Sequence, residues 1–340
     1  MRNSYIKTIC VVLLNILFLV TLNAKMGQVS GGQSHEMPSW LKQSFLDIQE
    51  DIDEAKEENK HVMLFLSLDF CPYCTKMLKD NFYNENETQK YIKKHFDVIG
   101  INIKGDKEIT LDENTTMSES EYAKHLKVQY TPTIIFFDQN NKIVVRINGY
   151  RSTKNFKNIL QFVNDKKYLI MSLEDYLEKV KNKTLYKLKP NAMFKEIRDL
   201  SKIETPLAVI FEDAGCTQCD YLHNVTLKNK DVIKELQKFT VVRYDADSQE
   251  QIITPSGIKT TPKQWAKDLK LTYRPGIILF NEKKEQMRID ALLYSFHFKE
   301  LFRYVSGEYY DEYDSFLQYL TIRQSELLSD GVDIDISNKK

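Results

Sequence analysis

The 340-residue chain is poor in cysteine, proline and glycine, and it carries no excess charge of either sign. Five cysteines are too few to staple a chain of this length, which excludes a disulfide scaffold. Eight prolines and eleven glycines exclude collagen-like and Gly/Pro-rich low-complexity sequence. Lys plus Arg and Asp plus Glu both number 48, so there is no basic footprint for nucleic acid. Long apolar runs are also missing, with one exception at the start. What remains is 42% hydrophobic and 28% charged, an ordinary globular composition in a chain long enough for two domains of about 150 residues.

The exception is an address label. Arg2 and Lys7 precede the apolar run 8–22, and Ala24 offers a small residue for cleavage. Residues 1–24 are predicted to be a secretory signal peptide. An uncleaved anchor is the alternative, because the run is close to the shortest that spans a bilayer. Cys10 lies inside this run and lacks the small residues that precede a lipidated cysteine. Cleavage leaves four cysteines and 46 basic against 48 acidic residues in an exported chain.

Those four cysteines form two identically spaced pairs, Cys71-Pro72-Tyr73-Cys74 and Cys216-Thr217-Gln218-Cys219. The sequence around them repeats. Tyr122-Ala123-Lys124 and Leu126-Lys127, followed by Tyr130 and Pro132, align with Trp265-Ala266-Lys267, Leu269-Lys270, Tyr273 and Pro275 at a shift of 143 residues. Ile134, Ile135 and Phe137 then match Ile277, Ile278 and Phe280, and further on, with one residue deleted, Phe156-Lys157 matches Phe298-Lys299. Each copy reads as an amphipathic helix (Leu41, Phe45, Ile48, Ile52 in the first), a short apolar strand (61–68 or 207–211) and the cysteine pair. A helical stretch, a second strand (98–103 or 240–244), a short helix before Pro132 or Pro275, a hairpin and a last helix follow. The expectation is an α/β chain with two tandem domains, each a mixed central sheet flanked by helices. The predicted boundaries are a flexible leader over 25–37, domain 1 over 38–177, a linker over 178–192, domain 2 over 193–325 and a polar, frayed tail over 326–340.

A Cys-x-x-Cys between a strand and a helix places its first sulfur at the helix N-terminus, where unpaired N–H groups stabilise a thiolate. The second cysteine lies one turn inward and can resolve a mixed disulfide. Cys71 and Cys216 are therefore the candidate nucleophiles, and Cys74 and Cys219 the candidate resolvers. A structural bridge closing so small a loop stabilises little. One zinc site shared by the two pairs would need to bring together pairs separated by 141 residues, in separate copies, so no metal is expected. Covalent haem needs His after the second cysteine, where Thr75 and Asp220 stand, and no other cofactor is called for. Thr131-Pro132 and Arg274-Pro275 open apolar strands. A cis bond there would turn the preceding residue toward the sulfurs, and a trans strand-starter is the other reading.

Strand, Cys-x-x-Cys, helix, strand, helix, X-Pro and hairpin together resemble the thioredoxin fold, twice over. The first copy is similar to the exported SoxW-type thioredoxins in Phe70-Cys71-Pro72-Tyr73-Cys74, Thr131-Pro132-Thr133, Phe136-Phe137-Asp138, Arg146 and Gly149-Tyr150. The resemblance implies cis Pro132 and Pro275, a periplasmic location, client proteins with disulfides or oxidised thiols, and a membrane thiol-electron donor. It implies a reductase. An oxidase or isomerase, or a docking module with redox activity only in the first copy, are the rivals.

Departures from the family pattern bear on mechanism. Phe70 and Gly215 replace the Trp before the first cysteine. Phe65 and Ile210 replace the buried acid that moves protons. Proton transfer at Cys74 and Cys219 then falls to water or to Asp69 or Glu212, although both acids read as solvated. Arg274 is read either as a charge near Cys216, lowering its pKa, or as a surface arginine. His223, four residues after Cys219, is read as a solvated histidine, the alternative being that it shares the Cys216 helix face. The polar stretches 105–120 and 247–261 read as loops beside the cysteines, and the aromatics over 304–319 as core.

Overall fold

The computed structural model describes residues 25–83, 85–182 and 186–338. The predicted export signal and Cys10 lie outside the described residues. Among those residues, no helix is long and apolar enough to cross a membrane.

A two-residue strand, β1 (Val29–Ser30), precedes the first copy. Helix α1 (Ile48–Glu57) starts where the Asp47 carboxylate accepts from Glu50 N at 3.0 Å. The periodicity had placed Leu41 and Phe45 on this helix. Left-handed Leu46 (φ 65°) and the Asp47 cap break the chain there, and Phe45 is left 95% exposed. Next come β2 (His61–Ser67), α2 (Pro72–Asn81), α3 (Glu87–His95) and β3 (Phe96–Asn102). The polar stretch 105–120 contains a hairpin, β4 (Glu108–Asp112) with β5 (Thr115–Ser118), where a loop was expected. Helix α4 (Glu119–His125) then starts at a capping box formed by Ser118 and Glu121. The copy ends with β6 (Thr133–Phe137), β7 (Ile143–Asn148), α5 (Thr153–Asn164) and α6 (Leu173–Val180).

The second copy repeats this order with β8 (Leu207–Glu212), α7 (Cys219–Asn224), α8 (Lys230–Leu236) and β9 (Thr240–Asp245). A small hairpin, β10 (Ile252–Ile253) and β11 (Lys259–Thr260), again replaces the expected loop. It is followed by α9 (Pro262–Asp268), β12 (Gly276–Asn281), β13 (Lys284–Ile289) and α10 (Ser295–Ser306). Beyond them lie α11 (Phe316–Ser329) and β14 (Ile334–Asp335).

Each copy builds a four-stranded mixed sheet, ordered β3-β2-β6-β7 or β9-β8-β12-β13. β2 and β8 run parallel to their second strands and antiparallel to β6 and β12. Both are buried along their whole length, which explains their continuous apolar sequence. Both hairpins shift register at the same repeat position, Phe136/Phe137 and Leu279/Phe280. The aromatics Tyr304, Phe316 and Tyr319 pack into the core of the second copy, as expected.

The leader and the tail are not loose. β1 pairs in parallel with β14, Val29 opposite Ile334. Gly27 N donates to Leu328 O and Gln28 N to the Asp333 carboxylate, both at 2.8 Å. Burial of Ile334 and Ile336 secures the pairing, although polar neighbours hide both residues in the sequence. The two copies are also joined by a buried cation. Arg151 is 1% exposed and donates to Asp290 O at 2.9 Å and Thr272 Oγ1 at 3.3 Å. Its guanidinium lies over the Tyr273 ring, and the Asp290 carboxylate is 3.5 Å away. Removing one partner of such a pair leaves the other buried and uncompensated. Arg151→Ala is therefore expected to lower unfolding stability by about 3–5 kcal/mol in urea titrations of the full chain; a loss below about 1 kcal/mol would show that the copies do not depend on this contact.

Candidate active site

In the first copy β2 delivers the chain to Cys71, which is the N-cap of α2. Pro72 occupies the first helical position, where its fixed φ suits the helix and no N–H is missed. Cys71 Sγ accepts from Cys74 N at 3.1 Å and from Thr131 Oγ1 at 3.3 Å. Cys71 and Cys74 are disulfide-bonded, with Cα atoms 5.3 Å apart. Thr131-Pro132 is cis and lies against the sulfur. Gly149, at φ +72°, donates its N–H to Pro132 O and leaves no room for a side chain against Ala291 of the second copy. Asp69 stays exposed and accepts from Asn102 Nδ2 at 3.4 Å.

This site opens on a groove of about 600 Å³ between the copies. Cys71, Phe70 and Tyr130 line one side, and Leu317 and Leu320 of α11 line the other. Phe70 is 61% exposed at its edge. Tyr73, between the two cysteines, also lines the groove and packs against the second copy. It stacks on Tyr294 with ring centroids 4.9 Å apart, accepts from Tyr294 N at 2.9 Å and bonds His297 Nδ1 at 2.9 Å. Burial pushes the Tyr73 phenol well above its usual range and pulls His297 down to about 4, so a neutral imidazole accepts the phenol proton. Nothing in the sequence marked Tyr294 or His297 as neighbours of Cys71.

The second site differs. Cys216 and Cys219 are bonded to each other, Cα atoms 5.7 Å apart, so each copy keeps its own pair. Among the described residues, no group of three or more His, Cys, Asp or Glu side chains could hold a metal ion. Cys216 does not sit at the helix N-terminus as expected. α7 begins only at Cys219, and its N-cap Gln218 makes no side-chain cap. Thr217 stands where the first copy has the helix-starting Pro72, and it is exposed. Both sulfurs are buried and are covered by Tyr186 and Leu188 from the predicted linker.

Three sequence readings change here. Glu212 is buried, not solvated: it bonds His223 Nε2 at 2.7 Å and the Tyr186 hydroxyl at 3.3 Å. His223 is correspondingly buried, with its imidazole against that carboxylate. Arg274-Pro275 is cis, but the Arg274 charge is engaged by Asp213, Nε to Oδ2 2.9 Å. Arg274 also donates to the carbonyls of Leu271 and Tyr273, so it is neither a free surface arginine nor a charge left to the sulfur. Lys181 of the linker shares Asp213 at 3.2 Å.

The family profile of the thioredoxin-like domain matches residues 48–164 and again 193–306. Among solved structures, a thioredoxin-fold protein from Helicobacter pylori is 30% identical, covering 41% of this chain and 93% of its own, at TM-score 0.33. A thioredoxin from Thermus thermophilus is 22% identical over 34% of this chain and 83% of its own, at TM-score 0.28. A disulphide isomerase from Xylella fastidiosa Temecula1 is 16% identical over 39% and 87%, at TM-score 0.23. A comparison with curated proteins finds no match.

The buried histidines make the fold acid-sensitive. His297 and His61 both sit at about 4 against an ordinary 6.5, burial being the main cause. Between those values the unfolded chain binds protons that the folded chain refuses, so stability falls as pH drops from about 6.5 toward 4. His297→Gln keeps an acceptor for Tyr73 and removes one of these groups. Its unfolding midpoint is expected to fall less between pH 7 and pH 5 than that of the parent; an identical fall would mean that His297 is not held neutral at the interface.

Proposed function

The chain belongs to the thioredoxin-like domain family in both of its copies and is a thiol–disulfide oxidoreductase, and from that premise we propose that it is an exported reductase of disulfides or oxidised thiols on other proteins. The single observation that carries the reading is the setting of Cys71: a buried sulfur at a helix N-terminus, with Cys74 N and Thr131 Oγ1 as donors, facing an open groove. The Cys71 thiolate attacks one sulfur of the client disulfide. The client's other sulfur leaves as a thiolate and is protonated. Cys74 then attacks Cys71 Sγ, the Cys71–Cys74 bond forms, and the second client sulfur departs. An outside dithiol returns the pair to its reduced state.

The two donors to Cys71 Sγ are uncharged, and that favours reduction over oxidation. A strong oxidant owes its potential to a strongly stabilised reduced thiolate. Here the two donors to the sulfur carry no charge, and the polar group between the cysteines, Tyr73 OH, is bonded away to His297 and Tyr294. The basic-then-apolar start of the chain supports export to the periplasm, and a reductase there needs electrons from a thiol donor in the membrane.

Removing the resolver traps the intermediate. Full-length Cys74→Ser, expressed in an exporting host and quenched with acid and alkylator, is expected to accumulate mixed disulfides through Cys71 that dithiothreitol releases. The Cys71→Ser/Cys74→Ser variant should accumulate none through the first site. Equal adduct levels in the two variants would overturn the assignment of Cys71 as the attacking group.

A further inference from the structure

The two copies differ in what lies beneath the cysteines. β2 and β8 end at equivalent positions, Ser67 in the first copy and Glu212 in the second, each four residues before the first cysteine. Four residues after the second cysteine stand Leu78 in the first copy and His223 in the second. The same fold is thus built with Ser and Leu in one copy and with a carboxylate and an imidazole in the other. Burying Glu212 at 0% and His223 at 7% exposure is costly unless the groups are paired, and they are, at 2.7 Å. The first copy shows that the architecture does not require them.

Their placement connects them to the sulfurs. Cys219 and His223 are one turn apart on α7, which sets their Cβ atoms about 5–6 Å apart on one face. The Tyr186 ring packs against the Cys216–Cys219 pair and also lies over the His223 ring, centroids 6.2 Å apart. Its hydroxyl bonds the second Glu212 oxygen. Other groups face the pair as well. Arg243 Nη1 lies 3.6 Å from Glu212 Oε2, and the edge of Phe194 meets the imidazole. Asp220, on the outer side of α7, is paired with Lys189. Burial and the nearby carboxylate hold the Tyr186 phenol protonated, so it donates to Glu212 and does not accept the thiol's proton.

We propose that the Glu212–His223 pair is the proton acceptor for Cys219, giving the second copy an internal base that the first lacks. The proposal rests on the reading that the second pair exchanges thiols. In the resolving step the Cys219 S–H proton passes to the hydrogen-bonded pair. The Cys219 thiolate attacks Cys216 Sγ in the Cys216–client mixed disulfide. The Cys216–Cys219 bond forms, the client sulfur leaves with the electron pair, and a proton from the pair or from water completes the client thiol. The client is reduced and the Cys216/Cys219 dithiol is oxidised.

The test uses the full chain carrying Cys71→Ser/Cys74→Ser, so that only the second pair reacts. After reduction, closure of Cys216–Cys219 by the aromatic disulfide dithiobisnitrobenzoate is followed by its chromophore and by acid-quenched mass spectrometry from pH 4 to 9. Glu212→Gln and His223→Gln are each expected to move the half-maximal closure rate upward by about one pH unit, which is about tenfold slower closure at neutral pH, since thiolate fraction changes tenfold per unit. Glu212→Asp should recover part of the shift and carries the test if Glu212→Gln does not fold. A merely structural pair would leave the pH profile in place, and profiles superimposable on the parent's overturn the proposal. A parent chain whose second pair stays inert at every pH also overturns it, and in that case the redox reading of the second copy fails, not the relay alone.

Discussion

Burial of one strand on both faces is the constraint on which the rest depends. β2 and β8 have nowhere to go but the middle of their sheets, and each ends at the rim where the chain turns into a cysteine loop. The sulfur of the first pair therefore inherits a rigid support. Its helix begins at the next residue, and cis Pro132 immediately precedes the neighbouring strand β6. Those two elements supply its donors, the amide of Cys74 and the hydroxyl of Thr131. The chemistry is local, but its precision comes from the sheet.

From that shared scaffold the copies diverge. In the first, proline at the first helical position winds α2 straight from Cys71, and the sulfur meets a groove whose far wall belongs to the second copy. In the second, threonine at that position leaves Cys216 outside the helix, and Tyr186 and Leu188 cover the pair. The copies are also joined through the active dipeptide itself, since Tyr73 is buried against Tyr294 and His297. The groove at Cys71 is thus walled by residues of both copies.

Much of this was legible in the sequence. The cysteine spacing, the repeat at Pro132 and Pro275 and the apolar strands carry the fold and the reactive pairs, because strand burial and helix starts leave local patterns. What was not legible depends on partners far along the chain. Glu212 and His223 read as solvated because charged side chains usually are; they are buried only because each has the other, with Tyr186 above them. β1 and β14 are two residues long and some 300 positions apart, so no periodicity announces them. Leu41 and Phe45 kept a helical spacing, but the Asp47 cap decided where α1 starts. For Arg274 the sequence left a charge near Cys216 and a surface arginine both open, because Asp213, which holds the guanidinium, lies 61 residues away.

The most direct measurement of the central claim is the reduction potential of Cys71–Cys74 in the full chain with Cys216 and Cys219 changed to Ser, equilibrated against glutathione or dithiothreitol buffers. Uncharged donors to the Cys71 sulfur predict a value near that of thioredoxin, about −270 mV. A value near about −120 mV, that of a dedicated oxidant, would contradict the account and reverse the direction of the reaction.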